Sequence, residues 1–267
     1  MPGVLIGTYL AALVLQLFRV IKSRYDILDS AAPGLSFIIG IISFSDIYSG
    51  LCRGKMMVVN PVFQKLPFAV ADMDAQGQIQ YRFAVFFIRF ILMMVITCIL
   101  TFMLIREKRS AYHEKISNKG HGFRWFLALY GMTEIVMDSM RNDAAHLYFP
   151  GEALASLNKG ASFMGVSQIL GALCCVYVCV YYLISMRRAY GHTLKSVLLG
   201  LLFLSGIIIG GVSEYLVQRY SGMYKVYYTS QICGVFMMGA GLYVLYRMGI
   251  SNYNISKNIS EDNNGGK

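Results

Sequence analysis

The chain has 267 residues, 56% of them hydrophobic and only 14% charged, with a net charge of +10. So few charges cannot clothe a soluble domain, and the composition predicts an all-α, polytopic transmembrane helical bundle of about seven spans. No basic stripe is interleaved with exposed aromatics, so the positive balance reads as topology and attraction to anionic lipid, not nucleic-acid binding.

Seven apolar runs are long enough for a hydrocarbon core of about 30 Å: 4–20, 33–50, 83–105, 123–139, 163–185, 195–217 and 227–247. Lys and Arg gather on one side, with three in the first loop, six in the third, three in the fifth and three in the tail, against four, two and two in the alternate loops. Loop cations stay cytoplasmic, so the N-terminus is expected outside and the C-terminus inside. Residues 1–250 read as one transmembrane domain, and 251–267 as a polar, disordered cytoplasmic tail. The opening MPGVLIG lacks the basic region of a secretory signal; the first span is read as a membrane helix whose abrupt start is compatible with a start codon further upstream. Gly3 and Gly7 have the small-xxx-small spacing that lets helices approach closely.

The second span is entered through Ala32-Pro33-Gly34 and carries Asp46 near its far end. An ionisable group inside an apolar segment is a functional candidate by default. Pro33 is expected in the first turn of that helix. The long outer loop, 51–82, reads as an irregular external segment; Phe63, Leu66, Phe68 and Val70 either face lipid or pack as a small lid. Arg89 lies near the start of the third span, where it snorkels to the interface, pairs with Asp46 or meets a lipid phosphate. Glu134, Asp138 and Arg141 share one face of the fourth helix, as a salt-bridged structural face or one turned to substrate.

The sixth span is glycine-rich and carries Glu214, and the seventh has tyrosines at both ends, resembling an interfacial aromatic belt. Cys98, Cys174, Cys175, Cys179 and Cys233 lie within spans and are expected as buried small hydrophobes; Cys52 stands apart near the outer surface. The single Asp143-x-x-His146 pair is a weak metal signal, and neither a metal site nor a cofactor is expected.

Asp29-x-x-Ala32-Pro33-Gly34-Leu35, followed by Gly50-x-Cys52-x-Gly54-Lys55, then Leu129-Tyr130-Gly131 leading to Asp138-x-x-Arg141-x-Asp143, and finally Gln168, together resemble the prolipoprotein diacylglyceryl transferases. The resemblance covers about residues 3–180 and leaves 195–250 as an additional hairpin, within which GIIIGGVSEYLV echoes the family's second span. Asp29, Pro33, Gly50, Gly54, Tyr130, Gly131 and Gln168 would be its structural positions. It implies a bacterial cytoplasmic-membrane protein acting on phosphatidylglycerol and prolipoprotein signal peptides, moving a diacylglyceryl group to a cysteine thiol. Such a transfer needs a base and cations that hold the leaving phosphate. The implied bases are Asp46, Glu134 and Asp138, and the implied phosphate ligands Arg53, Arg82, Arg89 and Arg141.

The chemistry departs from that family. Two of its arginines fall at Ser43 and Glu134, its Gly and Asn or Cys at Ser45 and Asp46, a histidine at Pro2, and its histidine-containing third-span entry is reduced to Arg82-Phe83-Ala84. Losing one preorganised charge costs about 3–4 kcal/mol of transition-state stabilisation. Two alternatives therefore stand beside an active transferase: a non-catalytic lipid- or lipoprotein-binding membrane protein in which the same charges pair as structure, and an ion-coupled transporter, for which no internal repeat is visible.

Overall fold

The computed structural model describes residues 2–21, 23–49, 53–73, 77–113, 120–141, 148–149, 164–190, 194–220 and 223–264. Gly50, Cys52, Asp143 and His146 lie outside the described residues. The elements are α1 (Pro2–Leu17), α2 (Arg24–Ser49), β1 (Arg53–Met57), α3 (Pro61–Gln64), β2 (Ala69–Met73), β3 (Ile79–Ala84), α4 (Val85–His113), α5 (His121–Met140), β4 (Tyr148–Phe149), β5 (Met164–Gly165), α6 (Val166–Tyr190), α7 (Leu194–Arg219) and α8 (Tyr224–Asn264).

The molecule is mostly helical, and each of the seven expected spans falls on a helix. Five are long and apolar enough to cross a membrane: Arg24–Tyr48, Val85–Arg106, Val166–Arg187, Leu194–Val217 and Tyr224–Met248. Five such helices make this a multi-pass membrane protein. The apolar run of α1, Gly3–Leu17, is shorter. Helix α5 falls outside the group; it carries Arg124, Glu134 and Asp138, all buried. A helix sheltered by protein on most sides need not be apolar.

Four expectations are corrected. The outer segment is not irregular: β1, β3 and β2 form a three-stranded antiparallel sheet in that order, set on the helical bundle. Its β2–β3 hairpin pairs Ala69 with Phe83 through to Met73 with Ile79, and Gly77, at φ 78°, supplies the left-handed residue of the turn. Helix α2 starts at Arg24, so Pro33 lies inside it, where it removes the hydrogen bond to the Asp29 carbonyl one turn earlier. Beyond residue 250, α8 continues to Asn264 where disorder is expected, because a helix already nucleated gains one hydrogen bond for each residue added. Finally, Cys175 and Cys179 are buried but Cys98 and Cys233 lie exposed on their helices.

The chain gathers into two compact units, Met1–Gly171 and Ala172–Lys267. In the first, α2, α4 and α5 pack on one another. Gly40 brings α2 against α4, since a Cβ there would lie 3.1 Å from Met93 Cβ, and the Ser36 hydroxyl donates to the Met93 carbonyl at 2.9 Å. On α1, a Cβ at Gly3 or Gly7 would meet nothing within 4 Å, so among the described residues that spacing brings no helix close. In the second unit, α7 and α8 form an antiparallel hairpin whose backbones touch at Gly206 and Gly234. Ser213 and Ser230 bond each other at 3.0 Å and the Gln231 amide donates to Glu214 at 3.2 Å, both across this seam. Tyr228, expected in an interfacial belt, is buried.

Candidate functional site

The site is built around α5, the buried axis of the first unit. A helix leaves unbonded N–H groups at its start and carbonyls at its end, with partial positive and negative charge respectively. Both ends of α5 are satisfied from outside the helix. At the start, Asp29 of α2 accepts hydrogen bonds from the backbone N–H of Gly120 and, at 2.9 Å, of Phe123. Gly120 is the N-cap at φ 85° and has no side chain to do this. Gly122 keeps the approach open, because a Cβ there would lie 3.3 Å from the Asp29 carboxylate. At the other end, the Lys55 ammonium of β1 donates to the Ser139 carbonyl at 3.0 Å.

The residues from Asp29 to Lys55 thus bracket α5. One supplies the anion its N-terminus needs and the other the cation its C-terminus needs. A backbone bridge between Gly54 and Arg141 fastens β1 to the same end. Gly54 is required there, as a Cβ would lie 2.9 Å from the Phe83 carbonyl of β3.

The sheet end of the unit collects the charges. Arg89, early in α4, forms a buried ion pair with Glu134 of α5, and the Tyr130 hydroxyl donates to the same carboxylate. Arg89 therefore does not snorkel; its counter-ion is Glu134, which is 1% exposed. Four residues on, Asp138 is buried and paired with Arg141 at 3.3 Å. On the sheet, Asp72 takes both Arg53 and Arg82, the latter at 3.0 Å. These two arginines share one carboxylate, so the sheet carries the surplus positive charge.

The other expected positions divide. Asp46 is half-buried near the end of α2. Ser43 is buried and its hydroxyl donates to the Ile39 carbonyl of its own helix at 2.8 Å, so this position holds no charge. Tyr130 stacks on Phe126 at 5.9 Å between ring centres. Gly131 meets Gly171 of α6, where a Cβ would lie 2.7 Å from the Gly131 carbonyl. Gln168 joins the same elements: its carbonyl accepts from the Gly165 N–H at 2.8 Å and its amide donates to the Ile135 carbonyl at 3.2 Å.

Sequence reasoning missed Lys55 as a helix cap, Asp72 as the shared counter-ion and Gly171 as the point of closest approach. The first two sit on short strands in a segment whose sequence has the look of irregular loop. For Gly171 the signal was a glycine in an otherwise bulky span. Among the described residues no group of three or more His, Cys, Asp or Glu side chains could hold a metal ion. Compared with known proteins, the chain matches no family model, no curated protein and no solved structure.

Proposed function

We propose that this is a bacterial cytoplasmic-membrane protein that binds the headgroup of a diacylglyceryl phospholipid, phosphatidylglycerol in the first instance, at the sheet end of its first unit, without transferring the diacylglyceryl group. The reading rests on the resemblance to prolipoprotein diacylglyceryl transferases together with one observation: Glu134, where those enzymes hold an arginine, is buried in an ion pair with Arg89. A carboxylate neutralised in this way is a poor base for a thiol, and a guanidinium spent on it offers little to a leaving phosphate.

Of the four arginines implied as phosphate ligands, three retain more side-chain exposure than Arg89: Arg53 at 32%, Arg82 at 18% and Arg141 at 14%. A guanidinium has five N–H donors suited to phosphate oxygens, and Arg53 and Arg82 share the single carboxylate of Asp72. These three are therefore the headgroup ligands, with prolipoprotein signal peptides as a further candidate partner.

Two measurements test this. Expressed in a bacterium lacking the transferase, with labelled palmitate as readout, the chain is expected to yield no labelled lipoprotein; a labelled product would overturn the non-catalytic reading. In native mass spectrometry of the detergent-solubilised protein, phosphatidylglycerol should be retained over phosphatidylcholine. Arg141→Gln and Arg82→Gln should each weaken that retention by about tenfold, the scale of one charge-assisted hydrogen bond. Equal retention by wild type and both variants would sink the binding reading.

A further inference from the structure

The connection from Met57 to Phe68 places an apolar surface outside the spans, at the sheet end of the first unit. Its chemistry is one-sided. Val59 is 82% exposed, Val62 67% and Phe63 55%, with Met57, Leu66 and Phe68 also exposed, and the sole charged side chain among these residues is the exposed Lys65. Water would not be expected to tolerate six such residues within twelve positions.

Helix α3 gives the segment a fixed shape. The Asn60 side chain accepts from the Val62 N–H at 2.9 Å, and the Gln64 amide donates back to the Val58 carbonyl at 2.8 Å. A surface held rigid by its own polar groups, with the apolar groups turned out, is built to meet something apolar.

The depth of this surface can be read from Phe68. Its carbonyl accepts from the Ala84 N–H at 2.7 Å, the last residue before α4. Its ring stands edge-on to Phe87 at 5.6 Å, and Phe87 in turn contacts Phe44 of α2 and Phe90. The span in α4 begins at Val85 and that in α2 ends at Tyr48. Phe87 lies two residues into its span, roughly 3 Å along the axis at 1.5 Å per residue. Phe68 is thus level with the first turn of that span. Through the Phe68–Phe87–Phe44 ring contacts the apolar side chains of residues 57–68 join those of α2 and α4, where Phe44, Ile47 and Ile91 are exposed.

From this continuity we infer that the β1–α3–β2 connection is an interfacial anchor: Val59, Val62, Phe63 and Leu66 lie in the headgroup–acyl boundary of the leaflet on the sheet side, and Lys65 meets anionic headgroups. Interfacial segments bury apolar side chains to about 5–10 Å and gain from cations on their polar side. This anchor does not depend on the lipid-headgroup reading of the arginines. It holds the sheet, with Arg53 and Arg82, at the membrane surface.

The test uses the full chain in vesicles of phosphatidylcholine with a minority of phosphatidylglycerol, with and without bromine on the acyl chains. Phe63→Trp and, separately, Val62→Trp add one fluorophore to the single native Trp125, and both positions are exposed enough to accept indole. The added emission is expected to be blue-shifted, mostly lost with brominated lipid and little affected by aqueous acrylamide. Quenching by acrylamide and not by brominated lipid would place the segment in water and overturn the anchor. Protection from both quenchers would place it against protein, a second copy of the chain included, and overturn it equally.

Discussion

Arg89 and Glu134 show how burial changes the meaning of a charge. Each alone at this depth would be costly, and together they cancel. Breaking a buried pair by removing one partner costs about 3–5 kcal/mol because the other charge is left uncompensated, while replacing both by apolar groups of similar volume is often close to neutral. Glu134→Ala should therefore lower the unfolding midpoint in detergent sharply, and Arg89→Met/Glu134→Met should recover most of the loss. If the double variant were as unstable as the single one, the pair would have a role that its charge balance does not explain. The Tyr130 hydroxyl on the same carboxylate predicts that Tyr130→Phe is mildly destabilising, about 1 kcal/mol. Glu134 was visible in the sequence as an acid in a span, but its partner was not. The sequence offered Asp46 as readily as Glu134, and it is the packing of α4 on α5 that brings Glu134 to Arg89.

At the scale of elements, α5 depends on its neighbours at both ends. Asp29→Ala removes the carboxylate that serves the Gly120 and Phe123 N–H groups and should cost about 1–2 kcal/mol, in the range of lost N-caps. Lys55→Met should cost less, up to about 1 kcal/mol, since it leaves a carbonyl short of one favourable cation. A helix of 20 residues separates the two sites by about 30 Å, so the losses should add. Strong non-additivity in a denaturation series would show that the bracket acts as one unit.

The contact of α5 with the start of α6 makes a third prediction. A Cβ at Gly171 would lie 2.7 Å from the Gly131 carbonyl and 3.2 Å from the Glu134 Cβ. Gly171→Ala must push the helices apart at the level of the buried pair, with a cost of about 1–3 kcal/mol. Unchanged stability would mean that the two helices separate without strain. The motif residues Asp29, Gly54, Gly131 and Gln168 are thus explained by contacts to α5, its neighbours or the sheet, without recourse to chemistry. Their spacing could be read from the sequence, but what each one touches could not, because every partner lies on another element.

For the whole molecule, orientation is the property that the loop charges govern. The excess of Lys and Arg in the first, third and fifth loops and the tail predicts that a fluorescent protein fused after Lys267 glows in the cytoplasm and that an exported phosphatase fused within the Met57–Phe68 connection is active. The reverse pattern would place the sheet and its arginines on the cytoplasmic side.

The solvent and the places of the helices are legible in the amino-acid pattern alone. Long apolar runs must satisfy their backbone groups internally once water is absent, and a helix is the way a single run can do so. That reasoning is local, and it placed seven helices with errors confined to their ends. The sheet escaped it because β1, β2 and β3 are short and bond to partners up to some thirty residues away. The candidate site escaped it for the same reason. Which cation neutralises which acid, and whether a buried charge is chemistry or structure, depends on distances of a few ångströms between elements far apart in the chain, and those the tertiary structure alone decided.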